Sequence, residues 1–312
     1  MSFRIIGSGA YLPERVILNS QLPASDINNE WVISRTGIKQ RHFASESQTP
    51  SDMAYIASIN AINEACIDKN TIDLIILATT TPDNTFPSVA TKLHKMLALN
   101  NQIPAFDIQA VCAGFIYAIH LAQSLMKSNN YNRVLLVAAE KMSNILDMKD
   151  RSTSILFGDG AASLILQKDE SGFVDSIVFS EGNCDILYTN GGVGSTKDSG
   201  KIIMNGKEVF KHAVQKMQDV SKEILLRNNL NVSDIDYFIP HQANSRIIDT
   251  IVKNFGIDEV KVIKTIDMHA NCSAASIPLA ICYSKNKFKQ GDIILSTALG
   301  AGLSWGAAVF KW

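Results

Sequence analysis

The stretch "INEACIDKNTIDLIILATTTPD" (62–83) and the stretch "LLRNNLNVSDIDYFIPHQANS" (225–245) follow one plan. Each runs from a helical segment through a polar turn to an Ile-Asp pair and then an aliphatic strand. Two further pairs follow in the same order. "CAGFIYAIHLAQSLM" (112–126) matches "CSAASIPLAICYSKN" (272–286), and "FGDGAASLIL" (157–166) matches "LGAGLSWGAAVF" (299–310). Matching points lie roughly 160 residues apart, and ordered similarity at a near-constant offset marks a repeated unit. Two similar halves, 1–170 and 171–312, are therefore expected to pack together. The boundary is expected within "QKDESGFVDS" (167–176).

The runs "DLIILATT" (73–80), "IPAFDIQAV" (103–111), "RVLLVAAE" (133–140), "DYFIPH" (236–241) and "DIILSTAL" (292–299) read as buried strands. Continuous aliphatic strands separated by helical segments predict an α/β fold with covered sheets. Hydrophobic residues make up 46% of the 312 residues and charged ones 19%. The charged share lies under the usual quarter, so a large core and a buried subunit interface are expected. The net charge of −1 provides no global attraction for nucleic acid. The uncharged run 293–310 is read as two strands joined by a glycine turn, not a membrane span. The start, "MSFRIIGSGAYLPERV", has no signal-peptide apolar region, which predicts a cytoplasmic protein.

The five cysteines are odd in number and form no CxxC pair, so neither a zinc site nor a disulfide framework is expected. His42, His94, His120 and His212 show no metal-binding spacing. Cys66, Cys184 and Cys282 are expected to be packing residues. Cys112, heading an apolar run, is either a core filler or a nucleophile. By offset its counterpart in the repeat is Cys272. His241, read alone, is a core or surface histidine, and Asn271 a turn residue or helix cap. Both lie where strands end and helices begin, and open α/β sheets collect ligands at such ends.

The contexts "QAVCAGF", "PHQANSR" and "MHANCSAASIP" carry a resemblance to the 3-oxoacyl-[acyl-carrier-protein] synthase III family of the thiolase superfamily. The likeness extends through "IIGSGAYLPE", "RTGIKQRH", "ATTTPD", "TFPSVA", "FGDGAASLIL", "NGKEVFKHAV", "PHQAN", "NCSAASIPLA" and "GAGLSWG". It implies a five-layered α/β/α/β/α thiolase-like fold, a homodimer and a decarboxylating Claisen condensation. An acyl group would pass from acyl-CoA to Cys112, then to the carbon freed when malonyl-acyl carrier protein loses CO₂. No resident cofactor or metal is implied.

Cys112 would be the nucleophile, and a helix N-terminus in front of it would favour the thiolate. Ala113 and Gly114 are small enough to leave room for an acyl group. His241 and Asn271 would donate hydrogen bonds to the enolate oxygen. His241 must then carry a proton on its reactive nitrogen, and the tautomer is not legible in the sequence. The resemblance places a second oxyanion hole at the backbone N–H groups of Cys112 and Ala301.

The resemblance also implies that Trp31, Arg35 and Arg151 clasp the adenine end of CoA, while Gly206 and Asn244 line the pantetheine tunnel. Lys211, Arg246 and Lys253 would dock the acidic carrier protein. Phe86, reaching across the dimer, would border the acyl pocket with Leu156, Phe157 and Met204.

The chain departs from the family at "ANC" (270–272), where many members have Gly-Asn-Thr, and at Ala301, which is flanked by Gly300 and Gly302. Alanine resists a positive φ, so strain is expected at Ala301 if that turn requires one. Two alternatives stay open. One is an acyltransferase of specialised metabolism with a different acceptor, the other an acyl-binding subunit without turnover.

Overall fold

The computed structural model describes residues 2–23, 28–129, 131–169, 172, 175–196 and 198–312. The chain runs through β1 (Ser2–Tyr11), β2 (Val16–Leu18), α1 (Asn29–Thr36), β3 (Gln40–His42), α2 (Pro50–Ala65), β4 (Leu74–Ala78), α3 (Val89–Met96), β5 (Ala105–Ile108), α4 (Gly114–Asn129), β6 (Arg133–Glu140), α5 (Arg151–Ser154) and β7 (Gly160–Asp169). It continues through β8 (Asp175–Asn183), β9 (Leu187–Thr189), β10 (Ile202–Met204), α6 (Gly206–Arg227), β11 (Tyr237–Pro240), α7 (Ser245–Phe255), α8 (Ile266–His269), α9 (Ser276–Ser284), β12 (Ile293–Gly300) and β13 (Gly302–Lys311).

Two sheets dominate. The first has the order β1-β7-β6-β4-β5 and the second the order β8-β13-β12-β11. Their pairings agree strand for strand. β4 and β6 are parallel, as are β11 and β12. β6 pairs antiparallel with β7, and β12 with β13. β1 closes the first sheet antiparallel to β7, and β8 closes the second antiparallel to β13. A parallel bridge from Phe238 to Val262 stands where β5 joins β4. The expected boundary at 170/171 lies outside the described residues.

The layers follow from which helices can bury both faces. α4 and α9 are apolar nearly all round, and a helix of that kind must lie inside. They form a central layer, α4 against β4, β6, β8 and β13, and α9 against β1, β7 and β11. α2 covers the outer face of the first sheet, and α6 that of the second, with α7 packed on α6. The result is the five-layered α/β/α/β/α, thiolase-like arrangement. The apolar run 293–310 forms the hairpin β12–β13 turning at Ala301, as read from the sequence. Among the described residues, no helix is long and apolar enough to cross a membrane.

Three expectations are corrected. The offset is not constant. The first half inserts residues 141–159, including α5, between β6 and β7, whereas β12 passes to β13 through Ala301 alone. The third matching pair therefore lies closer together than the other two. The counterpart of Cys112 is Ala274, not Cys272. A 3₁₀ turn at Val111–Ala113 leads into α4, and a 3₁₀ turn at Ser273–Ala275 leads into α9. The first residue of each turn, Val111 or Ser273, has a φ of 47°. Finally, Cys66 and Cys184 are exposed, and of the three cysteines read as packing residues only Cys282 is buried. Cys66 serves instead as the left-handed C-cap of α2, with a φ of 52°.

Candidate active site

Cys112 is placed by a strained elbow. Val111 is β-branched and has a left-handed φ, a conformation that persists only when surrounding structure imposes it. Gly300, at the end of β12, supplies part of that structure. A Cβ there would lie 2.8 Å from the Ala110 carbonyl oxygen and 2.8 Å from the Cys112 nitrogen. Only glycine lets the two backbones approach so closely. The sequence reading attended to Ala301 in this turn, but the tight contact belongs to Gly300.

His241 continues from β11, its N–H donating to the Thr297 carbonyl on β12 at 2.9 Å. Its Nδ1 lies 2.6 Å from the hydroxyl of Ser276, the first residue of α9. The Gln242 N–H donates to the same hydroxyl at 3.3 Å. Among the described residues the hydroxyl hydrogen has no acceptor other than Nδ1. The ring proton is therefore assigned to Nε2, which has no partner among the described residues. Burial, and secondarily the nearby His269, push the imidazole down to about 3. His241 is thus a neutral ring with one N–H to offer.

Asn271 is held by backbone pairing with the inserted segment. Its N–H donates to the Leu156 carbonyl at 2.9 Å, and its carbonyl accepts from the Gly158 N–H at 3.0 Å. Its side-chain Oδ1 accepts from the Ser273 N–H at 2.8 Å, which leaves the amide NH₂ to be presented. The buried Arg41, from "RTGIKQRH", steadies the same segment by donating to the Ile155 carbonyl at 3.0 Å and to Asn19 at 2.8 Å.

These three side chains open on one cavity of about 350 Å³. Of the residues singled out in the sequence, the cavity also gathers Trp31, Arg35, Arg151, Gly206 and Asn244, together with Leu156, Phe157, Met204 and Arg246. The Arg151 guanidinium lies over the Trp31 ring at 5.7 Å. Asn244 caps α7, its side chain accepting from the Arg246 N–H at 2.9 Å. Lys211 on α6 and Lys253 on α7 are exposed and do not line the cavity. Arg246 bridges those two helices, lying over the Phe210 ring at 5.9 Å. Phe86 does not border the cavity of this chain; it is 83% exposed.

The charge state of Cys112 reverses the sequence expectation. Burial pushes the thiol up to about 12, aided by the negative charge of Glu140 and opposed by Ser273. Desolvation is the largest cause and favours the neutral thiol. The strain expected at Ala301 is absent, since that residue has no left-handed φ. It falls at Ala270, whose φ of 60° and ψ of −159° suit glycine alone. His269 is buried, with Nε2 2.8 Å from the Thr265 hydroxyl and Nδ1 2.7 Å from the Ala270 carbonyl. It supports the turn from behind. Among the described residues no cluster of three or more metal-ligating side chains occurs.

Comparison with known proteins settles the lineage. Residues 106–182 match the model for 3-oxoacyl-[acyl-carrier-protein (ACP)] synthase III, and residues 225–312 match the model for its C-terminal part. β-Ketoacyl-[acyl-carrier-protein] synthase III proteins of Rickettsia canadensis and Rickettsia prowazekii are each 54% identical over 318 aligned residues, covering all of both chains. The chain belongs to the 3-oxoacyl-[acyl-carrier-protein] synthase III family. Solved synthase III structures agree. That from Aquifex aeolicus superposes with a TM-score of 0.94 at 39% identity over all of both chains. That from Pseudomonas aeruginosa gives 0.93 at 32% identity, over all of this chain and 98% of the other. As a synthase III family member the protein is an acyltransferase of the condensing class, associated with fatty-acid biosynthesis.

Ser276 and Gly300 were missed as site residues in the sequence. Both stood inside quoted motifs, "NCSAASIPLA" and "GAGLSWG", but nothing local assigns them a partner. The insertion 141–159 was missed as well, although it supplies Arg151, Leu156 and Phe157.

Proposed function

We propose that the cavity catalyses the priming condensation of fatty-acid synthesis, from acyl-CoA and malonyl-acyl carrier protein. The observation that carries this reading is the convergence of Cys112, His241 and Asn271 on one cavity that also contains the Trp31–Arg151 pair. In the first half-reaction the Cys112 sulfur bonds to the acyl carbon and the bond to the CoA sulfur breaks. The N–H groups of Cys112 and Ala301 receive the oxyanion. Trp31, Arg35 and Arg151 hold the adenine end, and Gly206 and Asn244 flank the pantetheine arm. Leu156, Phe157 and Met204 enclose the acyl chain.

In the second half-reaction malonyl thioester replaces CoA. Its carbon–carboxylate bond breaks, CO₂ leaves, and the electron pair forms the new carbon–carbon bond to the acyl carbon as that carbon's bond to the Cys112 sulfur breaks. The enolate oxygen accepts hydrogen bonds from His241 Nε2–H and the Asn271 amide. A neutral imidazole suits this role, because it donates without giving up its proton. The electron pair comes from the breaking carbon–carboxylate bond, so the chemistry requires no redox cofactor or metal.

Lys211, Arg246 and Lys253 offer positive charge to an acidic carrier protein on α6 and α7. Phe86, exposed in one chain, is assigned to the pocket of a partner subunit in a homodimer, and the protein to the cytoplasm. Within the repeat, residues 1–170 contribute the nucleophile and residues 171–312 the His and Asn.

The test is a panel of acyl-CoA thioesters read by the mass increase of the intact protein, followed by malonyl-acyl carrier protein. Acylation at Cys112 and subsequent CO₂ release are expected. Acylation followed by transfer to another acceptor would show the acyltransferase alternative, and stable acylation without turnover would show a binding subunit.

A further inference from the structure

A carboxylate ends strand β6. Glu140 is fully buried. Its Oε2 accepts from the Thr80 N–H at 3.0 Å and the Thr81 hydroxyl at 2.9 Å, with the Thr79 hydroxyl at 3.5 Å. Its Oε1 is buried without a hydrogen-bond partner, and so is the hydroxyl of Ser273. The 3₁₀ turn that carries Ser273 packs against both the turn that carries Cys112 and strand β6, which ends at Glu140. Ser273 is held there by its left-handed φ of 47° and by its N–H on Asn271.

The other ionisable groups nearby are engaged elsewhere. Lys141 sends its ammonium to the carbonyls of Ser45 at 2.7 Å, Glu46 at 3.2 Å and Gln48 at 2.8 Å. Asp159 accepts from Ser143 and the Ala44 N–H. The Cys272 thiol donates to the His269 carbonyl at 3.3 Å. Among the described residues, Glu140 therefore has no cation in hydrogen-bond contact. A buried carboxylate in that position is costly as an anion. Ser273 Oγ and Glu140 Oε1 are both left with unused bonding capacity.

We propose that Glu140, acting through the Ser273 hydroxyl, stores the proton of Cys112 while that sulfur carries the acyl group. This rests on the acyl-Cys112 reading above and deepens it. On acylation the S–H bond breaks, its proton passes to Ser273 Oγ, and the Ser273 hydroxyl proton passes to Glu140 Oε1. The sulfur bonds to the acyl carbon, and CoA leaves as thiolate and takes a proton from water. On condensation the new carbon–carbon bond forms, the carbon–sulfur bond breaks, and the emerging thiolate recovers the stored proton by the reverse path. Each cycle leaves Cys112 and Glu140 as they began. Burial pushes Glu140 up to about 7, so the carboxyl can hold or release a proton near neutrality.

The test compares wild type with Glu140→Gln and Ser273→Ala. Two rates are followed from about pH 5.5 to about pH 9: acylation by acyl-CoA, read by intact mass, and alkylation of Cys112 by iodoacetamide. Both variants are expected to lose on the order of 100-fold in each rate, the usual scale for an assisted proton transfer. The wild-type inflection near neutral pH is expected to disappear in both. A role through charge alone has the opposite sign. The anion of Glu140 raises the thiol pKa, so its removal would then speed alkylation. Faster alkylation by Glu140→Gln, or unchanged rates and pH profiles in either folded variant, overturns the proposal. CoA binding and thermal unfolding check the fold, and if Glu140→Gln does not fold, Ser273→Ala decides alone. Wild type that alkylates normally but is acylated by no acyl-CoA would sink the acyl-Cys112 reading, and the alkylation rates would still test the relay.

Discussion

The hydroxyl of Ser276 stands 2.6 Å from Nδ1 of His241, and through it the first turn of α9 sets the tautomer of a ring carried by β11. The two residues come from separate elements, and neither determines the tautomer alone. Ser276→Ala removes the donor and lets either nitrogen carry the proton. Condensation is expected to slow roughly 10- to 100-fold while acylation by acyl-CoA persists, which single-turnover assays of the two half-reactions separate. Equal loss in both would mean that the hydroxyl supports the fold and not the ring.

Cys112→Ser is expected to show no mass increase with any acyl-CoA yet to bind CoA as before, because the binding residues sit elsewhere in the cavity. His241→Ala and Asn271→Ala are expected to acylate. Each should then lose about 100- to 1000-fold in condensation, the range for one missing oxyanion donor. Normal condensation by both variants would remove these residues from the enolate hole.

Ala270 holds a backbone conformation that suits glycine. Ala270→Gly releases that strain and is expected to stabilise the protein by about 1 kcal/mol. The gain should register as an upward shift of a few degrees in the melting temperature. A lower melting temperature would show that the Ala270 methyl, buried beside Ile38 and Ile266, contributes more by packing than it costs in strain.

Two buried histidines shape the acid limb of stability. Burial lowers His241 to about 3 and His269 to about 4, from an ordinary value of 6.5. The unfolded chain therefore binds protons that the native chain refuses. Above about pH 6.5 both rings are neutral in either state and cost nothing, and as pH falls toward the native values they destabilise the fold by about 1.4 kcal/mol per pH unit for each group. Chemical denaturation at a series of pH values should show this slope, and His269→Gln should flatten it. An unchanged slope in that variant would assign acid sensitivity to other groups.

Much of the site was legible because its signals are local. An aliphatic run before a polar turn marks a strand end, and the same plan met twice marks two halves. Cys112, His241 and Asn271 stood in motifs whose order matched a family. The misreadings share a different cause. The Cys112 thiol was expected to ionise because a helix N-terminus is visible in sequence, whereas its burial under both sheets is not. Cys272 was matched to Cys112 because letters aligned, yet the repeated turn geometry pairs Cys112 with Ala274. Strain at Ala301 was conditional on a positive φ that the turn does not require, and Ala270 takes one instead, because φ follows from how a turn is packed.

The amino-acid sequence by itself determined the duplicated α/β architecture, the family and the three side chains that meet at the cavity. Periodicity, turn chemistry and motif order are carried by neighbouring residues. Only the tertiary structure decided the burial of those side chains, the Gly300 contact that seats Cys112, and the placing of Glu140 and Ser273 with unpartnered buried oxygens. Each of these depends on dielectric and on contacts between segments far apart in the chain, which exist once the two sheets have closed on their shared central helices.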